Sequence, residues 1–568
     1  MKPYRWAIAL TVFFLAVESI SILFLPAIMA DIVDNGIIRG VTEGTPQTAY
    51  IVQMGLIMLG VALLSGAAAV GAGYLAPRVS AGAARDLRRD LFTKVESFSQ
   101  KEFDSFSSAS LITRCTNDIS QVQNLANAGR MLFLAPIMAT GGIIMALNQS
   151  VAMSWIIALA VFVLMAFVVT IVPVVMPKFR IIQKMQDGIT KVARETLHGL
   201  MVVRAFGTQE QELARFDEKN RDIRDLSMFL SRVMAVAQPA MMFIMTGTQL
   251  LVVWVGAHHI AESGLQIGDM MAFMQYSMFV IFSFMMITMV IVQIPRAAVS
   301  AGRIAEVLES VPAITDPPAP EGFEGESIVV FDNVCFRYPG AEVDVLNDIN
   351  FTALPGETTA IIGPTGAGKS TIAQLILRFY DITSGHITVC GKDIRRVRQA
   401  DLRNKIGYVP QKGQLMAGTI ASNIRYGAPD ATDEEIAKVA AVAQAMPFIE
   451  GYENKFEAEI GQKGGTVSGG QRQRLSIARA LAKSPEILVF DDSFSALDFQ
   501  TDASLRRALR DHAESATVIV IAQRVGTIRN ADQIIVLDQG KIVGKGKHEE
   551  LLEICPAYYE IASSQGVV

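Results

Sequence analysis

The chain has 568 residues, of which 51% are hydrophobic and 18% are charged, and its formal net charge is −5. This composition is too apolar for an ordinary soluble enzyme, and the length is sufficient for two domains. The small net charge and the lack of basic clusters with interleaved aromatic residues argue against a nucleic-acid partner. The four cysteines lie far apart without a C-x-x-C pair, so neither a cysteine metal site nor a disulfide framework is expected.

Six segments in the first half are long and apolar enough to cross a lipid bilayer, because each is near or above the roughly 20 residues that a helical span needs. They are predicted at 6–30, 50–76, 130–147, 151–176, 233–260 and 268–295. The first is interpreted as a membrane helix and not as a signal peptide, because its apolar run is long and lacks a small-residue cleavage site.

Lys and Arg residues concentrate between the second and third spans and between the fourth and fifth spans. The opposite side carries Arg39 and otherwise acidic or neutral residues. By the positive-inside rule, both basic segments and both termini are predicted to be cytoplasmic. The chain is therefore expected to be a multi-pass protein of the cell (cytoplasmic) membrane. The basic segments keep helical periodicity, which predicts that the spans continue as helices beyond the bilayer.

Glu18 lies within the first span, where a carboxylate is costly in lipid and is expected to face the interior of the helix bundle. It is the candidate contact for a cationic substrate. The alternative is a structural hydrogen bond to a neighbouring helix.

A segment rich in proline and acid, 312–326, follows the spans, and its Pro317-Pro318-Ala319-Pro320 run disfavours helix and strand. It separates a six-helix, all-α transmembrane domain over 1–311 from a second domain over 327–568. Strands and helices alternate in the second domain, as is typical of an α/β fold.

A P-loop stands near the start of the second domain. A strand predicted over 358–362 leads into Gly363-Pro364-Thr365-Gly366-Ala367-Gly368-Lys369-Ser370, and a helix is predicted over 371–378. The glycines let backbone N–H groups face phosphate oxygens, Lys369 offers a positive charge to the β and γ phosphates, and Ser370 offers a hydroxyl to Mg²⁺. The alternative, a purely structural glycine-rich turn, is disfavoured because both flanking elements are the ones a P-loop needs.

Two further motifs follow in a fixed order. Val467-Ser468-Gly469-Gly470-Gln471 opens a basic helix predicted over 472–482, and an apolar strand predicted over 487–490 ends in Asp491. With the P-loop, these motifs closely resemble the ATP-binding-cassette (ABC) family. The resemblance extends to Tyr338, to Gln411 in Val409-Pro410-Gln411 and to Asp498 in Ser495-Ala496-Leu497-Asp498.

The resemblance implies an ATP site with Mg²⁺, and it assigns residues to each part of that site. ATP would be bound by Tyr338, Gly363, Pro364, Thr365, Gly366, Ala367, Gly368, Lys369, Ser370, Thr371, Gln411 and Asp491. The metal ligands would be Ser370, Gln411 and Asp491. The signature residues presented to the ATP of a partner cassette would be Ser468, Gly469, Gly470 and Gln471, and Asp498 would be the D-loop residue.

Two catalytic positions depart from the family pattern. The family has a glutamate after Asp491, and here stands Asp492, whose carboxylate is shorter by roughly 1.5 Å; a misplacement of about 1 Å can cost on the order of a hundredfold in rate. The family's switch histidine is replaced by Gln523, whose amide donates a hydrogen bond but carries neither a proton nor a positive charge. Both changes are expected to weaken hydrolysis more than binding.

Six spans followed by one cassette is similar to an ABC exporter half-transporter. Because Asp492 and Gln523 weaken this chain's own site while its signature is intact, the chain resembles the degenerate-site subunit of a bacterial heterodimeric multidrug exporter. Such a subunit is an ATPase coupled to transport, with hydrolysis mainly at the composite site formed with its partner. Helices at 97–106 and 208–216 are expected to contact the cassettes.

The expected substrate is an amphiphilic drug or a lipid, moved out of the cytoplasm or the inner leaflet. One alternative is a homodimeric lipid or peptide exporter with two slow sites. Another is a nucleotide-sensing regulator that gates a channel and pumps nothing, since a weakened catalytic site suits a sensor.

Overall fold

The computed structural model describes residues 2–262 and 264–567. The chain divides into two compact units: a helical unit that extends to residue 95 and from 109 to 310, and an α/β unit formed by 96–108 and the chain from 311 onward. Residues 96–108 were predicted to belong to the transmembrane domain, but they group with the α/β unit. The proline-rich segment 312–326 contains neither helix nor strand.

Long helices joined by short connections account for most of the chain before residue 310. The α-helices of this region are α1 (Arg5–Asp31), α2 (Arg39–Thr42), α3 (Thr48–Glu96), α4 (Gln100–Phe106), α5 (Ser108–Thr113), α6 (Ile119–Gln149), α7 (Ser154–His198), α8 (Leu200–Ala205), α9 (Gln209–Ala261) and α10 (Ile267–Glu309). A 3-10 turn, Lys2–Tyr4, precedes α1, and π-helical stretches over Ile32–Ile38 and Arg114–Asp118 follow α1 and precede α6.

Six helical runs in the described part of the chain are long and apolar enough to cross a membrane. They are Arg5–Thr42, Thr48–Glu96, Ser108–Gln149, Ser154–His198, Gln209–Ala261 and Ile267–Glu309. Each overlaps one predicted span, so the predicted number and order of spans are confirmed; the fourth run begins at Ser154, three residues after the predicted start. Helix α9 alone has 53 residues, which at 1.5 Å per residue gives a length of about 80 Å. Because the hydrocarbon core is only about 30 Å thick, the helices extend well beyond it.

Small residues allow close packing in the helical unit. A Cβ atom at Gly142 of α6 would lie 3.0 Å from Val280 Cγ2 of α10, and one at Gly141 would lie 2.2 Å from Leu23 Cδ1 of α1. Tyr276 of α10 is fully buried, and its hydroxyl donates to the Leu23 carbonyl at 3.0 Å. Helices α1, α6 and α10 therefore share one core, held by packing and by a satisfied polar group, as membrane bundles require.

The α/β unit contains three sheets. Its strands are β1 (Val329–Phe336), β2 (Leu346–Ala353), β3 (Thr358–Ile362), β4 (Ser384–Val389), β5 (Lys392–Asp393), β6 (Ile406–Val409), β7 (Gly418–Thr419), β8 (Glu459–Ile460), β9 (Ile487–Asp491), β10 (Thr517–Ile521), β11 (Gln533–Asp538) and β12 (Lys541–Gly546). The main sheet has the order β12-β11-β3-β10-β9-β6 and is parallel except for β12. The four-stranded sheet β2-β1-β4-β5 is antiparallel, and β7 pairs with β8.

Helices cover both faces of the main sheet. They are α11 (Lys369–Ile376), α12 (Gln399–Lys405), α13 (Ile420–Arg425), α14 (Asp433–Val442), α15 (Met446–Ile449), α16 (Gly469–Ala482), α17 (Phe499–His512), α18 (Val525–Ile528), α19 (His548–Ile554) and α20 (Pro556–Ser564), with 3-10 turns at Lys455–Glu457 and Gln462–Gly464. Alternate residues of the central strands enter two separate cores: Phe490 packs in one and Val489 in the other. Burial of both faces explains why these strands are continuous apolar runs.

The parallel strands determine where a ligand can bind. Strands β3, β6, β9 and β10 run in one direction, so their carboxyl ends lie at one edge of the sheet. Open parallel sheets bind ligands at this edge. The P-loop, Gln411, Asp492 and Gln523 all follow those ends, so the topology gathers the predicted site residues.

The short helix α4 is attached to the α/β unit by two carboxylates. Glu102 completes a capping box with Ser99, and its Oε1 accepts from the Ala313 N–H at 3.2 Å. Asp104 accepts from the buried Tyr380 hydroxyl at 2.7 Å. Burial and the neighbouring Asp104 both raise the pKa of Tyr380 well above its usual range, so the hydroxyl stays a donor. These bonds explain why the segment groups with the α/β unit.

Candidate ATP-binding site

The P-loop connects β3 to α11 and has a backbone that only glycine accommodates at its end. Gly368 is the N-cap of α11 and lies in the left-handed region, with φ 93°. A Cβ atom there would lie 2.6 Å from Leu346 Cδ2 and 3.1 Å from the Val345 carbonyl oxygen. The loop therefore presents its N–H groups at the start of α11, where the helix dipole favours phosphate.

Lys369 lies within this loop and is nearly buried. Its Nζ donates to the carbonyl oxygens of Gly363, at 2.8 Å, and Pro364, at 2.7 Å. Burial lowers the pKa of the Lys369 ammonium, and the negative charges of Asp492 and Asp491 oppose that shift. The ammonium thus lies among oxygen acceptors and can exchange them for phosphate oxygens.

Ser370 and Asp491, both predicted metal ligands, are directly hydrogen-bonded to each other. The Ser370 hydroxyl donates to Asp491 Oδ1 at 2.7 Å, where β9 ends against α11. Burial raises the pKa of the Asp491 carboxyl, whereas the bond from Ser370 lowers it. A hydroxyl and a carboxylate suit Mg²⁺, which prefers oxygen ligands and keeps several waters, so the residues fit the metal. Bound there, Mg²⁺ would offset phosphate charge.

Asp492 accepts hydrogen bonds from two other predicted site residues, Gln411 and Gln523. Its Oδ2 accepts from Gln411 Nε2 at 3.1 Å and from Gln523 Nε2 at 2.9 Å. Burial raises the pKa of the Asp492 carboxyl, and the bond from Gln411 and the charge of Lys369 oppose the shift. Gln411 uses its nitrogen here, so its amide oxygen is the atom that can ligate a metal. Both amides converge on the carboxylate that follows Asp491.

Tyr338, which was predicted to bind ATP, is fixed by the helix that follows the P-loop. The half-buried Tyr338 follows β1, and its hydroxyl bonds to Thr371 Oγ1 at 3.0 Å and to Gln374 Oε1 at 3.1 Å. Its ring meets Phe336 and Tyr380 edge to face. Thr371, predicted to bind ATP, thus uses its hydroxyl to orient Tyr338.

The signature motif forms the exposed start of α16. Ser468 and Gln471 make a capping box, in which Ser468 Oγ accepts from the Gln471 N–H at 3.2 Å and Gln471 Oε1 accepts from the Ser468 N–H at 2.9 Å. A Cβ atom at Gly469 would meet nothing nearer than Arg472 Nη2, at 4.0 Å. Ser468 and Gly469 are both exposed, so the outer surface of the motif is open to another molecule.

Asp498 acts as a helix cap in this chain. Its Oδ1 accepts from the Thr501 N–H at 2.9 Å at the start of α17, and Thr501 Oγ1 donates to Oδ2 at 2.8 Å. The N–H bond of Thr501 lowers the pKa of the Asp498 carboxyl, which stays ionised. The cap fixes the direction of the loop after β9.

Three residues with roles at the site were not found from the sequence. Tyr408 of β6 is close to Asp491, and burial and the charge of that carboxylate raise the pKa of Tyr408. Gln473 of α16, which is buried, accepts from the Gly413 N–H at 2.9 Å and donates to the Pro410 carbonyl at 3.0 Å, so it joins the signature helix to the loop of Gln411. Gln565 contacts the backbone beside Gln523. A glutamine 60 residues from its partner carries no local sequence signal.

Glu18 lies far from this site in sequence and has a partner in the helical unit. Its two carboxylate oxygens accept from Arg130 Nη2 at 2.9 and 3.2 Å. The Glu18 side chain is 8% exposed and that of Arg130 is 35% exposed. The structure thus provides the structural contact that was the alternative to substrate binding, although the contact is an ion pair with α6.

Replacing Glu18 with Gln should destabilise the helical unit by about 2 kcal/mol, because the half-exposed Arg130 guanidinium loses its charged partner. The double variant Glu18→Gln/Arg130→Gln should recover part of that loss. Thermal unfolding of the protein in nanodiscs measures both. Unchanged stability of Glu18→Gln, together with weaker stimulation of ATPase activity by a cationic amphiphile, would favour substrate contact instead.

Comparison with known proteins gives matches that cover the whole chain. A family model described as the ABC transporter transmembrane region matches residues 8–284, and one described as ABC transporter matches residues 346–495. An uncharacterized ABC transporter ATP-binding protein of Mycobacterium tuberculosis (strain CDC 1551 / Oshkosh) is 40% identical over 575 residues, with 100% of this chain and 97% of the relative covered.

Two further similarities concern an exporter and a flippase. The ATP-dependent lipid A-core flippase of Haemophilus ducreyi (strain 35000HP / ATCC 700724) is 31% identical over 572 residues, covering 100% of this chain and 96% of that protein. A solved structure, that of a bacterial Atm1-family ABC exporter with ATP bound, is 26% identical and superposes with a TM-score of 0.77 over 99% of this chain and 98% of that one. The chain belongs to the ABC transporter family, as an exporter half-transporter with six membrane-spanning helices and a cassette ATPase coupled to transport.

Proposed function

We propose that this chain is the degenerate-site subunit of a heterodimeric ABC exporter, which moves amphiphilic drugs or lipids out of the cytoplasm or the inner leaflet. The observation that carries the proposal is the cluster in which Asp492 accepts from Gln411 and Gln523. The binding parts of the site are complete around it, since Lys369, Ser370 and Asp491 lie together.

This cluster suits retention of ATP better than its hydrolysis. A water-polarising base must reach the attacking water, and the Asp492 side chain is one methylene shorter than glutamate, which can cost on the order of a hundredfold. Gln523 cannot carry a proton, so it supplies none of the roughly 10²- to 10⁴-fold that general acid-base catalysis contributes. Its amide hydrogen still provides one hydrogen bond. ATP therefore binds and turns over slowly at this site.

The exposed signature supports a partner cassette. Ser468 and Gly469 are exposed at the start of α16, in a cap geometry that directs N–H groups outward. We propose that they close over Mg·ATP bound by the partner, whose catalytic Glu and His would be intact. Hydrolysis then occurs mainly at that composite site. The basic segments between the spans support a cytoplasmic location for both termini and the cassette, by the positive-inside rule.

A homodimeric lipid exporter is the second candidate. It is favoured by the 31% identity to a protein named as an ATP-dependent lipid A-core flippase. Two identical slow sites would then suffice for slow lipid movement. Uphill accumulation of a labelled amphiphile in inside-out vesicles with ATP would establish a pump and exclude a channel regulator.

Nucleotide retention tests the asymmetric transporter directly. After one load of labelled Mg·ATP and a chase with excess unlabelled ATP, we expect about one slowly exchanging ATP per dimer, because one P-loop lies beside a weakened catalytic site. Filter binding of the reconstituted transporter measures the retained label. Equal and rapid loss from both sites would contradict the degenerate-site proposal, and two retained nucleotides would favour the homodimer.

A further inference from the structure

Gln565, which follows α20, bonds to the loop after β10. Its Oε1 accepts from the Val525 N–H at 2.8 Å, and its Nε2 donates to the Gln523 carbonyl oxygen at 2.8 Å. One side-chain amide thus bridges an N–H and a carbonyl on the two sides of Arg524. Gln523 donates from its own side chain to Asp492 Oδ2 at 2.9 Å. Gln523 therefore connects α20 with the ATP site, because its backbone bonds to Gln565 and its side chain bonds to Asp492.

The position of Gln565 is itself fixed by the end of α20. Gly566 lies in the left-handed region with φ 66°, and its N–H donates to the Ser563 carbonyl at 3.0 Å. The Val567 N–H donates to the Ala562 carbonyl at 3.1 Å, and Ala562 is fully buried. These two bonds form a Schellman motif, which suits glycine at this position. Gln565 is the C-cap residue of this motif, so its backbone does not swing freely.

The loop is also held at its other end. Arg506 of α17 donates from Nη1 to the carbonyl oxygens of Gly526, at 3.1 Å, and Thr527, at 3.0 Å. Val525 is fully buried between these contacts. Two helices therefore hold the backbone on which Gln523 stands, and Gln565 makes the contact adjacent to the site. A site residue needs such support, because its geometry must be held within about 0.5 Å.

We propose that Gln565 is a positioning residue for Gln523. By fixing the Gln523 carbonyl and the Val525 N–H, it keeps the Gln523 amide beside Asp492 and the terminal phosphate of ATP. The inference rests on the proposed role of Gln523 at that phosphate. ADP lacks the phosphate, so the contribution of Gln565 is to the preference of the site for ATP over ADP. Loss of the hydrogen bond from Gln523 to the terminal phosphate corresponds to a roughly two- to twelvefold lower affinity for ATP.

The test is the ratio of the dissociation constants for mant-ADP and mant-ATP, measured with Mg²⁺ at low temperature on the full-length protein in nanodiscs. Gln565→Ala should weaken ATP binding by roughly two- to twelvefold and leave ADP binding unchanged. Gln565→Glu keeps the acceptor for Val525 but loses the donor for Gln523, so it should show the same selective loss. Ser564→Ala is the matched control, because Ser564 is exposed and its hydroxyl bonds within the helix to the Ile561 carbonyl.

A double-mutant cycle separates positioning from general support of the fold. If Gln565 acts through Gln523, Gln565→Ala should have no further effect on the ratio in a Gln523→Ala background. Equal weakening of ATP and ADP, or an effect that persists in that background, would overturn the proposal. A wild-type ratio for Gln523→Ala alone would instead show that Gln523 does not contact the terminal phosphate. That outcome refutes the switch role and is distinct from a failure of Gln565.

Discussion

Gly469→Glu in this subunit is expected to reduce steady-state ATP hydrolysis by the assembled transporter by roughly a hundredfold or more. This is the usual effect of losing one preorganised contact to the charge that develops in a transition state. Gly469 is exposed at the start of α16, and a Cβ atom there would meet no atom within less than 4.0 Å. The glutamate therefore fits the isolated chain. It would project from the signature surface with a negative charge, at the place where the proposed composite site holds the partner's nucleotide.

Lys369→Ala is the informative comparison, because under the degenerate-site proposal Lys369 serves only this chain's own, slow site. Its loss should leave a substantial fraction of the turnover, although it removes the ammonium that bonds to Gly363 and Pro364 in the P-loop. Phosphate release by both variants, each reconstituted with the wild-type partner, provides the measurement.

Gly322→Glu controls for an added carboxylate, because Gly322 is exposed in the proline-rich segment and a Cβ atom there meets nothing within 4 Å. Intact assembly is checked by gel filtration. Greater damage from Lys369→Ala than from Gly469→Glu would show that this chain is not the degenerate-site subunit, and that hydrolysis is needed at both sites.

The fold was predictable because its signals are local. A span is recognised from about 20 neighbouring residues, and a P-loop from a strand, a glycine-rich turn and a helix start. The parallel sheet then brings the ends of β3, β6, β9 and β10 to one edge, which is how motifs more than 100 residues apart form one site.

The unpredicted features depend on partners far apart in sequence. Glu18 and Arg130 are 112 residues apart, and Asp104 and Tyr380 are 276 apart. A polar residue in a span indicates that a partner exists, but periodicity does not identify it. Only the tertiary fold shows these relations.

Replacing Asp492 with Glu and Gln523 with His together should increase hydrolysis at this chain's own site, by roughly ten- to a hundredfold. The longer carboxylate moves toward the attacking water, and the imidazole restores a group that can carry a proton, which are the two contributions the native pair lacks. The structure adds a second reason. Asp492 now accepts two amide hydrogens on one oxygen, so its carboxylate is engaged by Gln411 and Gln523. Removing the Gln523 amide leaves one of those donors.

The backbone conformation at Asp492 limits the expected increase in hydrolysis and makes a stability measurement necessary as a control. Asp492 has φ 46°, a left-handed conformation that aspartate tolerates better than glutamate, so Asp492→Glu is expected to lose up to about 1 kcal/mol of stability. Thermal unfolding therefore accompanies the measurement of phosphate release, which is made with the partner's P-loop lysine replaced so that only this site turns over.

Each single variant should give less hydrolysis than the double variant, because the two groups act on the same water and phosphate. If hydrolysis does not rise in the double variant even after the partner's signature is restored to the sequence of this chain, then Asp492 and Gln523 are not the cause of the slow site. If an eroded partner signature is the only other defect, the double variant should show a partial increase in hydrolysis, which becomes complete when that signature is repaired. The catalytic base and the signature must both face the same nucleotide.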